Sequence, residues 1–301
     1  MPGREDGAVS ASAALPTDRV PPVALVLTGI GSVQFGAALA ATLFDELGPS
    51  GTTLLRLAFA AAILLALWRP DPRAYAPAQL RLAALFGLVL GLMNFTFYLA
   101  LERLPLGVAV TLEFVGPLGV AVATSRRRAD LAWAALAAGG IVLLADPGGG
   151  SLDPLGLVFV FLAGACWAGY ILLAQRAGPG FEGGRGLALA MIVAVLVPLG
   201  PGVLEGGDAL LDPRLLLLGA AVGILSSVIP YSLEFEALRR MPANVFGVLM
   251  SLEPGVAALA GFVVLGQALG SRELVAIALV VAASVGITRA ASRVDGLPIN
   301  S

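Results

Sequence analysis

The chain has 301 residues, 58% hydrophobic and 13% charged, with a formal net charge of -2 and a mean hydropathy of +0.93. Soluble domains carry about 25% charged residues, so a water-facing globule is excluded and the lipid bilayer is the expected solvent. All 18 basic residues are arginine, with no lysine and no histidine; this removes the GK[ST] phosphate loop, Schiff-base chemistry, HExxH zinc sites and every nucleophile–histidine pair. Cys166 stands alone and forms neither an intrachain disulfide nor a cysteine cluster. The arginines are scattered, so no basic stripe points to nucleic acid, and no cofactor or metal is expected.

Residues 1–21 form a polar head whose charges, Arg4, Glu5, Asp6, Asp18 and Arg19, do not fit the start of a secretory signal. Ten apolar runs follow, each near the roughly 20 residues that a spanning helix needs. They cover 22–44, 51–68, 79–101, 105–124, 130–145, 154–174, 186–203, 214–237, 243–265 and 272–290, with breaks at Pro, Gly, Asp and Arg clusters and a tail at 291–301. The expected fold is therefore all-α, a polytopic membrane protein of ten transmembrane helices.

The first run carries Gln34. The second carries Arg56, the only base inside a run, near its outer end. There it snorkels, or pairs with Asp45 or Glu46, or binds a substrate carboxylate. Asn94 and Tyr98 share a face of the third run, four residues apart. The fourth holds Thr111 and Glu113, the sixth Trp167 and Tyr170, and the eighth Ser226, Ser227, Tyr231 and Glu234. Glu253 lies in the ninth. Gln34, Asn94, Tyr98, Trp167, Tyr170 and Tyr231 are candidates to line a polar cavity or to tie helices together. Glu234, near the cytoplasmic end, reads as a solvated residue, Glu236 with Arg240 as a surface pair, and Gly87-x-x-x-Gly91 with Gly219-x-x-x-Gly223 as packing sites.

Glu113 and Glu253 stand out by depth. At the α-helical rise they lie about 12 and 16 Å beyond Pro105 and Pro242, near the middle of a hydrocarbon core about 30 Å thick. Carboxyls at that depth are costly and face cavities or partners. Pro117 and Pro254 each lack the N–H that would bond the carbonyl four residues back, at Glu113 and Met250. Each is a candidate kink that turns a freed carbonyl toward a cationic group.

A repeat links the two halves. At a fixed shift of 137, Ala100–Pro117 matches Ala237–Pro254 at Ala100/Ala237, Leu101/Leu238, Arg103/Arg240, Pro105/Pro242, Val108/Val245, Leu112/Leu249 and Pro117/Pro254. Residues 22–145 and 154–290 thus read as two five-helix repeats, and five being odd, as inverted ones, the plan of many secondary transporters. Fourteen arginines fall on one side of the alternating loops, and only Arg103, Arg214 and Arg272 on the other. By the positive-inside rule, both termini are cytoplasmic.

The strings SVQFGAALA (32–40), LRLA (55–58), GLMNFTFYLAL (91–101), PLGVAVTLEFVGPLGVAV (105–122), SRR (125–127), GACWAGYILLAQRAG (164–178), ILSSVIPYSLE (224–234) and FGVLMSLEPGVAALAG (246–261) carry a resemblance. The chain resembles the drug/metabolite transporter superfamily with EamA-type halves, and within it the bacterial threonine/homoserine exporters of the RhtA type. The likeness is weakest in the head and over residues 179–215. It implies an exporter of small neutral amino acids in the bacterial cytoplasmic membrane, energised by the proton gradient. The residues alone reach the proton part by another route: a carboxyl shielded from water can hold a proton at neutral pH, so a site that takes either a proton or an α-ammonium couples the two. Glu113 and Glu253 are the candidates. A permease for another metabolite or drug is the alternative; a membrane-embedded enzyme finds little support, since Asp208 and Asp212 share a loop without further clustered ligands.

Overall fold

The computed structural model describes residues 20–124, 128–145, 152–177, 180–238, 240–241 and 243–295. The head up to residue 19, Arg126, Arg127, Arg239, Pro242 and the tail beyond 295 lie outside them. Among the described residues, helices alone make up the regular structure: α1 (Pro22–Ala41), α2 (Phe44–Trp68), α3 (Pro77–Leu101), α4 (Leu106–Glu113), α5 (Val115–Thr124), α6 (Arg128–Ala145), α7 (Pro154–Ala177), α8 (Arg185–Gly206), α9 (Pro213–Gly223), α10 (Ile229–Leu238), α11 (Ala243–Met250), α12 (Glu253–Leu265) and α13 (Ser271–Asp295). Six described stretches are long and apolar enough to cross a bilayer alone, among them Pro22–Ala41, Pro77–Leu101 and Pro213–Glu234. Helices are the open-ended way to cross hydrocarbon, because each satisfies its own backbone. The chain is a multi-pass membrane protein.

The helices start where prolines permit. Pro22, Pro77, Pro213 and Pro254 occupy the first turn of α1, α3, α9 and α12, positions whose N–H has no intrahelical partner anyway. Three runs expected to be continuous are broken. The fourth divides at Phe114 into α4 and α5, the eighth passes through a π-helical turn at Ile224–Val228 between α9 and α10, and the ninth divides at Ser251–Leu252 into α11 and α12. The breaks beside Pro117 and Pro254 follow from the missing N–H groups. The first run ends at Ala41 rather than 44, and α2 starts at Phe44 rather than 51, bending at Gly48 (φ 65°, ψ 167°) before Pro49. That backbone conformation is one only glycine adopts freely. Helix α13 reaches Asp295, so the expected tail begins inside it.

Glycines set the closest helix contacts. A methyl added at Gly87 or Gly91 would strike the backbone of α8 at Ala190 or Ala194, and one at Gly116 would strike the Gly164 carbonyl of α7. Gly219 and Gly223 meet α2 at Leu55 and at the Arg56 carbonyl. Small residues at such crossings let dispersion replace the hydrophobic drive that lipid cannot supply.

At the end where α1 meets α2, one continuous core runs from Leu43, Leu47 and Leu101 through Leu106 and Leu112 to Leu215, Ala257 and Ala276. Toward the other end, the described apolar side chains form three further groups. Leu57, Leu64 and Leu90 meet Met191; Leu25, Val26 and Ile30 meet Ala237; Leu118 and Ala137 meet Ala283. Polar ties reinforce the first end: Arg214 pairs with Glu46 at 3.1 Å and Arg103 with Asp153 at 3.0 Å. There too the Ser50 N–H donates to Glu205 Oε2 (2.7 Å) and the Leu106 N–H to Gln267 Oε1 (2.9 Å). At the second end Gln79 donates to the Gly180 carbonyl at 2.9 Å, and Arg240 pairs with Glu236 at 2.9 Å as their spacing implies.

The hydrogen bond from Arg103 holds the Asp153 carboxyl below its ordinary value of 3.8, helped by the Leu155 and Gly156 N–H groups that it caps at the start of α7. A depressed carboxyl stabilises the fold above its ordinary value and loses that contribution as pH falls below it. Asp153→Asn is expected to flatten the fall in unfolding temperature below about pH 4; an acid limb identical to wild type would contradict the assignment. Gly87→Val is expected to cost about 1–3 kcal/mol by overpacking against α8, read as a lower unfolding temperature in detergent. Gly139, whose added methyl meets nothing within 4 Å, should accept Ala without loss.

Candidate functional site

Arg56 lies seven residues past Pro49, two turns into the straight part of α2, and is 5% exposed. Its Nη2 donates to the Ser226 carbonyl at 3.0 Å, its Nε makes a long contact of 3.4 Å to Ser227 Oγ, and its guanidinium carbon sits 5.1 Å from the Tyr98 ring centroid. The expected snorkelling, or pairing with Asp45 or Glu46, is thus corrected: Glu46 lies beyond the Gly48 bend and takes Arg214, while Arg56 turns inward.

What receives Arg56 is the π-helical turn. Wider turns leave carbonyls open to side chains and recur at functional sites. Here the Leu225 carbonyl accepts from Ser32 Oγ of α1 at 2.7 Å and the Ser226 carbonyl from Arg56 of α2. Gly36 lets α1 approach Ser226 this closely. Two helices therefore grip the turn from either side.

Three carboxyls face the same interior. Glu113 is the last residue of α4, at a C-terminal end whose dipole disfavours an anion, and Glu253 opens α12, at an N-terminal end whose dipole favours one. They are 6% and 5% exposed. Glu234 of α10 is partly buried against α1, where a methyl on Gly29 would lie 3.7 Å from its Cγ. Among the described residues, no hydrogen bond or ion pair reaches any of the three. They interact at longer range: Arg56 acts on Glu113, and both Glu113 and Glu234 act on Glu253. Tyr231 lies in the field of Arg56, Glu113, Glu234 and Tyr98, and Tyr170 in that of Tyr231 and Glu234.

Aromatic rings form the walls. Trp167 meets Phe114 edge-on at 5.3 Å, Tyr170 stacks on Phe86 at 5.1 Å, and Tyr98 lies 5.7 Å from Phe44. Tyr98 Oη, Gln34 Oε1 and Ser226 Oγ are buried without a hydrogen-bond partner, and such groups carry a desolvation cost unless a ligand or water meets them. Asn94 spends its Nδ2 on the Leu90 carbonyl of its own helix at 2.8 Å.

The prolines break their helices, but the carbonyl at Glu113 lies against α7: a methyl on Gly164 would stand 2.8 Å from it. On the far side of that contact runs an apolar groove of about 360 Å³ between α5 and α7, lined by residues such as Val115, Gly119, Phe161 and Leu172. It is separate from the polar interior. Sequence reasoning gave the two serines little weight, overlooked Ser32 and set Glu234 aside. The one signal was a serine pair in an apolar run just before Pro230, which does not reveal a π turn.

Among the described residues, a buried cation and three carboxyls without bonded partners form a set whose charges complement a ligand that carries one anionic and one cationic group. Among the described residues, no three His, Cys, Asp or Glu side chains gather as a metal site would require.

The EamA-like transporter family matches residues 154–289. The threonine/homoserine exporter RhtA of Escherichia coli (strain K12) is 43% identical over 285 residues, covering 93% of this chain and 96% of its own. RhtA of Salmonella typhimurium (strain LT2) is 43% identical over 270 residues, covering 89% and 91%. A protein crystal structure matches with a TM-score of 0.63 at 20% identity, over 91% of this chain and 99% of that one, a likeness of fold alone. With relatives this similar along nearly their whole length, the chain belongs to the EamA-like transporter family, in its RhtA-like branch.

Proposed function

We propose that the protein exports small neutral amino acids of the threonine and homoserine type across the bacterial cytoplasmic membrane, in exchange for protons. The relatives' names supply the substrate class, and the observation that carries the mechanism is a buried Arg56 in the same interior as carboxyls that have no bonded partner among the described residues. A zwitterion is the complement of that set. Its carboxylate meets Arg56, whose planar guanidinium suits bidentate recognition, and its ammonium meets Glu113 or Glu253. A carboxyl that holds either the ammonium or a proton, but not both, makes export and proton entry alternate.

In this reading, residues 22–145 and 154–290 are two five-helix repeats of inverted sense within a ten-helix bundle, and both termini are cytoplasmic. The matched positions at a shift of 137, the family match to residues 154–289 and the bias of 14 arginines to one side support it. Gln34, Tyr98, Tyr231, Trp167 and Tyr170 line the site, with Asn94 beside them; Pro117 and Pro254 give α5 and α12 the hinges about which the repeats move.

In vesicles containing the purified protein, a pH gradient should drive labelled threonine against its concentration. Glu113→Gln and Glu253→Gln should each reduce that flux at least about tenfold, a loss of roughly 1.4 kcal/mol or more in coupling. Wild-type coupling in both variants would sink the proposal, and competition by a panel of amino acids, sugars and cationic drugs separates it from a permease for another metabolite. The same two variants should unfold at or above the wild-type temperature, since each replaces a buried carboxyl lacking a bonded partner by a neutral amide. A clear drop would mark the carboxyl as structural.

A further inference from the structure

Glu234 reads in the sequence as a solvated residue near a helix end, yet its surroundings differ from those of its neighbour Glu236, which pairs with Arg240 at 2.9 Å. The Glu234 carboxyl has no hydrogen bond or ion pair among the described residues, and its Oε1 would lie 3.8 Å from a methyl on Gly29 of α1. Helix rise orders the carboxyls by depth from the end marked by Pro22 and Leu238. Glu234 lies four residues from Leu238, about 6 Å in; Glu253 is ten residues from Ala243, about 15 Å in; Glu113 is eleven from Thr124, about 17 Å in. Both of the others act electrostatically on Glu253. Among the described residues, the ionisable groups around Glu234 are Tyr231 on its own helix, Tyr170 on α7 and Glu253 on α12; α1, α11 and the π turn contribute none.

We propose that Glu234 is the third carboxyl of the transport path, a group that a proton or a substrate ammonium meets between Glu253 and the water at the Pro22–Leu238 end. It is a relay station: it takes the proton that leaves Glu253 on that side and gives it to water, or first receives the ammonium that Glu253 will hold. Turnover then depends on the pH of that compartment through Glu234. This inference rests on the proton-coupled reading above.

The test uses full-length protein in vesicles of one orientation, with labelled threonine and an entrapped pH-sensitive dye read together. The pH facing the termini is varied over about two units while the other side is fixed. Glu234→Gln should lower flux at least about fivefold and flatten its pH dependence, while Glu236→Gln keeps the wild-type slope. Glu234→Asp, which retains a carboxyl set back by one methylene, should run slower with a displaced pH midpoint, and it serves equally if the Gln variant does not fold. A wild-type slope in Glu234→Gln, an undisplaced midpoint in Glu234→Asp, or equal flattening by Glu236→Gln overturns the proposal. Proton movement without threonine movement overturns the amino-acid reading instead, and the dye still reports the slope that judges Glu234.

Discussion

Hydrocarbon offers no partner to an open backbone group, and the whole architecture answers to that. Where the helices run unbroken, they need nothing else. Where they break, at Phe114, at Ile224–Val228 and at Ser251–Leu252, something within the protein must meet the released groups. At the π turn it is Ser32 and Arg56; at Phe114 the carbonyl of Glu113 lies against the bare backbone of Gly164. The breaks thus recruit polar side chains into the interior, and the polar interior is where Arg56 and the carboxyls are found. One arginine, Arg56, bonds the π turn and is also the buried cation of the proposed site.

Much of this was legible in the residues. The mean hydropathy and the spacing of Pro and Arg clusters announce a chain of membrane helices, and the starts of α1, α3 and α9 sit where their prolines are. Glu113 and Glu253 are conspicuous because a carboxylate in the middle of an apolar run has no ordinary reason to be there. The prolines four residues beyond Glu113 and Met250 foretell two of the three breaks.

The rest was hidden for physical reasons. A π turn differs from an α turn by one residue per hydrogen-bond ring and leaves the apolar pattern intact, so GILSSVIP reads as plain helix. Arg56 misleads because sequence position fixes only its distance from the run's end; the direction of a long side chain depends on the Gly48 bend and on Ser226 across the interface, 170 residues away. Glu234 misleads likewise, since nearness to a helix end says nothing of α1 lying over it through Gly29.

The large core at the α1–α2 end has a thermodynamic consequence. Parting the continuous core around Leu43, Leu101, Leu106 and Leu215 wets a single large apolar seam. Wetting apolar surface raises heat capacity. In the proposed exchange, a step that parts the α1–α2 end therefore carries a curved temperature dependence.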